Sequence, residues 1–120
     1  MMSRTTLKTF AMLVFMVLGN GACEELFWRG WVHRRMESWP RRGAALALAA
    51  SAYTSYHLVT VASFTASGAV VLLFVAAIFG VGLFFGWLRE RYQTVWPSLL
   101  AHTGATAGYM AVYLIWVAGA

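Results

Sequence analysis

Cys23-Glu24-Glu25-Leu26-Phe27-Trp28-Arg29 sets two adjacent carboxylates and a guanidinium into an apolar run that otherwise reads as a membrane span. Those two carboxylates are half of the four acidic residues in the chain. Ionisable side chains inside a membrane helix are costly, so they persist where they have partners and a function. At ~100° per residue, Glu25 and Arg29 share a helix face one turn apart, while Glu24 points about 100° away from Glu25. Glu25 is therefore the expected ion-pair partner of Arg29. Glu24 is left to face whatever polar groups other helices supply.

The composition around this stretch names the solvent. The 120 residues are 61% hydrophobic and only 11% charged, against about 25% charged in a soluble domain. The expected fold is an all-α, polytopic membrane protein, one domain over residues 1–120, with room for about four spans of ~20 residues. The formal charge of +5 does not mark a nucleic-acid partner. Its arginines cluster at the ends of apolar runs, where they anchor spans and set topology. Cys23 is the only cysteine, which excludes an internal disulfide, and no CxxC or His-rich tract suggests a structural zinc site. Arg4 and Lys8 before an apolar segment, with Gly21-Ala22-Cys23 beyond, look faintly like a cleavable lipoprotein signal. Asn20 is poor in such a box, and the apolar pattern continues past Cys23 to Val32.

The first helix is predicted over about residues 6–35, with Asn20-Gly21 marking a local irregularity. Pro40, flanked by Arg34, Arg35, Arg41 and Arg42, makes a turn. A second helix is predicted over 43–63 and a third over 69–88, ended by Arg89-Glu90-Arg91. A fourth starts at Trp96-Pro97, where Pro suits a first turn, and runs to about Ala118. Gly82/Gly86 and Gly104/Gly108, each pair four apart, are packing signals. The two Arg-rich loops lie on one side if all four helices span. That side is expected to be cytoplasmic, with the protein in the plasma (cell inner) membrane, although Arg4 and Lys8 then lie opposite.

Three polar clusters fall inside the spans: Glu24, Glu25 and Arg29; Tyr53 and His57; His102 and Thr106. His33, near the basic loop, reads as interfacial. Counting ~1.5 Å per residue from the arginine ends puts Glu24 roughly 15 Å deep, His57 roughly 22 Å and His102 roughly 16 Å, all near mid-bilayer. Glu24 could act there as a general base toward water. His57 and His102 could hold that water, bind a divalent metal such as zinc together with Glu24, or stabilise an oxyanion. Thr106 could donate to the same oxyanion, and Tyr53 could orient His57 by stacking or through its hydroxyl. One histidine in a membrane helix is more often interhelical glue than a catalyst. The weight comes from EExxxR combined with two histidines on separate helices.

With these residues in view, the chain resembles the CPBP intramembrane proteases, which include CAAX prenyl endopeptidases and bacteriocin-immunity proteins. Glu24-Glu25-x-x-x-Arg29 matches their first motif. Tyr53-x-x-x-His57 is similar to their FxxxH motif with Tyr for Phe. The run from Phe85 through Arg91 to His102 is similar to the segment leading into their third motif. The resemblance implies an intramembrane peptidase in which Glu24 activates water, Glu25 and Arg29 support it, and His57 and His102 complete the site. It implies membrane lipid and a membrane-embedded or prenylated peptide as partners. Thr106 stands where the family has Asn or Asp, which makes a catalytically silent immunity or binding protein the rival expectation. Further N-terminal helices usual in the family are missing, so a fragment, a minimal core or a homo-oligomer is expected. Four helices with one buried acid would also fit a small proton-coupled multidrug transporter, which needs no paired histidines.

Overall fold

The computed structural model describes residues 4–118. Four helices, α1 (residues 4–36), α2 (Arg42–Phe64), α3 (Gly68–Tyr92) and α4 (Trp96–Ala118), account for nearly all of them, and no strand occurs among the described residues.

Helix α1 is continuous but not uniform. It is α-helical over Arg4–Val14, widens to a π-helix over Phe15–Asn20, returns to α over Gly21–Glu25, widens again over Leu26–Val32 and closes as α over His33–Met36. The irregularity expected at Asn20-Gly21 is thus larger than the sequence suggests, since it brackets the EE pair on both sides. π turns are rare and concentrate at functional sites, because each shifts the register of the side chains that follow.

Helix α3 continues one turn past its expected end and takes Arg89, Glu90 and Arg91 into the helix. The stop is supplied by Gln93, whose left-handed φ of 56° lets its N–H donate to the Arg89 carbonyl at 2.9 Å. Two arginines in that last turn also complement the negative end of the helix dipole.

The packing is inside-out relative to a soluble domain. The buried polar residues include Glu24, Glu25, Arg29, His33, Arg89 and His102, whereas buried hydrophobic residues are few. Phe64, Leu72, Leu73, Ile115 and Trp116 are 69–78% exposed. Only an apolar solvent makes that surface stable. Three helices are long and apolar enough to cross a bilayer, within Leu7–Met36, Arg42–Phe64 and Gly68–Tyr92. Helix α4 matches α2 in length at 23 residues, but Ser98, His102, Thr103 and Thr106 interrupt its apolar run. The protein is an integral, multi-pass membrane protein.

Helices α2 and α3 form the most extensive pair, and α4 packs against α3 and the middle of α1. Glycine allows the α2–α3 approach: a Cβ at Gly82 would lie 3.2 Å from Tyr53 Cδ1, and one at Gly86 would run into Leu46 Cδ1. Gly104 and Gly108 carry no such contact, since a Cβ on either meets nothing within 4 Å among the described residues. Their spacing is therefore not a packing device within this bundle. At the Arg-rich end, Arg89 Nη2 lies 2.8 Å from Glu37 Oε1 and His33 Nε2 lies 3.5 Å from Glu90 Oε1. Those contacts bring the ends of α1 and α3 together, so both basic loops occupy one face of the molecule. His33 is only 5% exposed and is part of this interhelical clamp rather than a free interfacial side chain.

Candidate active site

The short α-helical segment Gly21–Glu25, held between the two π segments, presents both glutamates inward. Glu25 is fully buried. Its Oε1 accepts from Arg29 Nη1 at 3.0 Å, the i,i+4 pair that the spacing predicts. Arg29 is then fixed from α2 and α3 together. Its Nη2 donates to the Gly82 carbonyl at 3.1 Å, and its guanidinium carbon lies 4.6 Å from the Tyr53 ring centroid and 5.2 Å from that of Phe85. A planar, always-charged group between two aromatic faces is a stable counter-ion for a buried carboxylate.

Glu25 does more than balance Arg29. The same Oε1 lies 2.9 Å from His102 Nδ1. A carboxylate can only accept, so Nδ1 carries the proton, and in the neutral ring Nε2 presents a lone pair. The sequence assigns both histidines to Glu24; instead Glu25 grips the far side of His102 while Glu24 faces its near side. Phe85 stacks on the His102 ring at 5.1 Å and fixes its plane.

His57 is set the same way by a different acceptor. Its Nδ1 donates to the Tyr53 carbonyl one turn back at 2.9 Å, which again leaves Nε2 free. Tyr53 therefore orients His57 through its backbone and through ring contact at 4.5 Å, while its ring also covers Arg29.

Glu24 completes the arrangement. Its Oε2 lies 3.7 Å from His102 Nε2 and 3.9 Å from His57 Nε2. That oxygen is buried and has no hydrogen-bond partner among the described residues. Its other oxygen is fully engaged: Oε1 accepts from Asn20 Nδ2 and from the Tyr56 hydroxyl, each at 2.7 Å. Sequence reasoning missed both donors. Asn20 carries a readable signal, the same i,i+4 spacing that pairs Glu25 with Arg29. Tyr56 carries none, because it sits about 100° around α2 from His57.

The structure thus gathers Glu24, Glu25, Arg29, His57 and His102 from three helices. Thr106 stands one turn beyond His102 on α4, partly buried. Its side-chain hydroxyl makes no hydrogen bond to the described residues.

Glu24 Oε2 and the two Nε2 atoms are the donors a divalent cation would use. Two imidazoles and a carboxylate are a usual zinc set, and the Glu25 and Tyr53-carbonyl partners are the outer contacts such ligands take. As they stand, no group of three or more His, Cys, Asp or Glu among the described residues is disposed to hold a metal. The donor chemistry fits a cation.

A family model described as type II CAAX prenyl endopeptidase Rce1-like matches residues 6–108. The matched span contains every residue of this site, from Asn20 to His102, and Thr106 as well. No curated protein and no solved structure matches the chain.

Proposed function

Because the chain belongs to the Rce1-like family of type II CAAX prenyl endopeptidases, we propose that it hydrolyses a peptide bond within the membrane using a water activated by Glu24. The observation that carries this reading is the buried Glu24 Oε2, which has no hydrogen-bond partner among the described residues and faces two histidine Nε2 atoms at 3.7 and 3.9 Å. A water at about 2.8 Å from two of these atoms closes a triangle over such a gap. Glu24 takes the water proton as its oxygen attacks the scissile carbonyl, then returns it to the leaving amine. A histidine in its doubly protonated form keeps Nδ1 on its present acceptor and donates from Nε2 to the oxyanion. Glu25 and Arg29 keep His102 aligned. A divalent cation such as zinc at Glu24, His57 and His102 would polarise the same water and carbonyl.

Its substrate is a membrane-tethered peptide of the prenylated CAAX type or one related to it. The Arg-rich face is cytoplasmic and the membrane is the plasma membrane.

The test is cleavage by the full chain, purified in detergent, of matched prenylated and unprenylated peptides, with and without chelator. Glu24→Gln, His57→Ala and His102→Ala are each expected to abolish cleavage while the proteins remain folded and monodisperse. Undiminished cleavage by Glu24→Gln would overturn the reading. Loss with chelator and recovery with zinc would assign a metal to the site; indifference to chelator would assign the water to the side chains alone.

A further inference from the structure

We propose that Asn20 and Tyr56 are positioning residues for Glu24, two donors from different helices that lock one carboxylate oxygen so that the other is aimed at the histidines. The inference rests on Glu24 acting as the base. Asn20 Nδ2 and the Tyr56 hydroxyl both donate to Oε1 at 2.7 Å. Oε2 receives nothing from the described residues and stands between the two Nε2 atoms. A carboxylate turns readily about its last torsion, so without those donors it would spend time at angles that aim neither oxygen at the histidines. Two charge-assisted hydrogen bonds to one oxygen remove that freedom.

The two donors come from places that suit the task. Asn20 is the last residue of the first π segment, one turn before Glu24, so the widened turn sets where its amide points. Tyr56 approaches across the α1–α2 interface. Its ring lies 4.2 Å from the His57 ring, so one side chain registers both the acid and an imidazole. The residue is 47% exposed overall, with its hydroxyl turned in to Glu24.

Such residues touch Glu24 rather than the reacting atoms, so their removal lowers kcat and leaves KM close to wild type. Either donor alone holds Oε1 only loosely, so each loss is felt singly and the loss of both frees the carboxylate altogether. The experiment is steady-state cleavage of a membrane-tethered fluorogenic peptide by purified full-length Asn20→Leu, Tyr56→Phe and the double variant, with thermal unfolding of each in the same detergent. Each single variant is expected to lose about tenfold in kcat, and the double variant more than the product of the two losses. Tyr56→Phe keeps the ring against His57, so it isolates the hydroxyl; Tyr56→Leu should cost further by freeing His57. Wild-type kcat in the double variant with cleavage still abolished by Glu24→Gln would sink the positioning role and leave the base assignment standing. A rise in KM with unchanged kcat would also sink it, by making the pair substrate contacts. Cleavage that survives Glu24→Gln would remove the premise instead.

Discussion

Glu25 and His57 sit in one site under different energetics. Glu25 is fully buried and held by Arg29, itself 3% exposed, so removing the guanidinium strands a charge in a low-dielectric interior. Arg29→Ala is expected to destabilise the protein by about 3–5 kcal/mol, read as a large fall in the detergent unfolding temperature. Arg29→Lys should recover only part of that loss, because an ammonium cannot serve Glu25 and the Gly82 carbonyl together while lying flat on Tyr53. The one hydrogen bond of His57 among the described residues is to its own helix, so His57→Ala should leave the unfolding temperature within a few degrees of wild type while cleavage disappears. An equal loss of stability in both variants would contradict this separation of roles. Thr106 offers a third case. An Asn there could reach an oxyanion that the shorter hydroxyl does not, so Thr106→Asn is expected to raise kcat by about tenfold. An unchanged rate would place no oxyanion donor at this position.

At the level of the helix, two glycine pairs with identical spacing part company. Gly82 and Gly86 let α3 press on α2 at Ala50, Tyr53 and Leu46. Gly86→Val should therefore cost about 1–3 kcal/mol and disturb the ring positions around Arg29. Gly104→Ala meets open space and should change stability by less than about 0.5 kcal/mol. Comparing their unfolding curves checks both. The GxxxG pattern is legible in the sequence, but which of two such faces meets a neighbour is decided by the crossing of α2 and α3. The π segments of α1 make the same point. Asn20-Gly21 flags an irregularity, yet the second widened stretch, Leu26–Val32, contains no Asn-Gly pair to announce it.

For the whole molecule, the clamp of His33 on Glu90 and of Arg89 on Glu37 ties both basic loops to one face. Cysteines placed at Ser38 and Gln93 should then label with an impermeant reagent from one side of the membrane. A cysteine at Ser67 should label only from the other. The exposed Cys23 must first be replaced, by Ala, so that it does not react. Labelling of Ser38 and Gln93 from opposite sides would break the four-helix topology. The slab-like envelope of 56 × 34 × 17 Å leaves most apolar side chains outward, so extraction into aqueous buffer without detergent should precipitate the protein.

The sequence by itself determined the solvent, the four helices to within a few residues, and most of the polar side chains that meet between them. Apolar run length, arginine placement and the i,i+4 rule are local properties of a chain in a bilayer, so Glu25–Arg29 and the gathering of Glu24, His57 and His102 at one depth could be read from it. Tertiary structure alone decided the division of labour between the two glutamates. Glu25 holds His102, Tyr56 reaches Glu24, and His33 turns inward to Glu90. Each of these depends on how far α1 is wound by its π turns and how closely glycine lets α2 and α3 meet. No periodicity along one helix carries that information, because it belongs to the angles between helices.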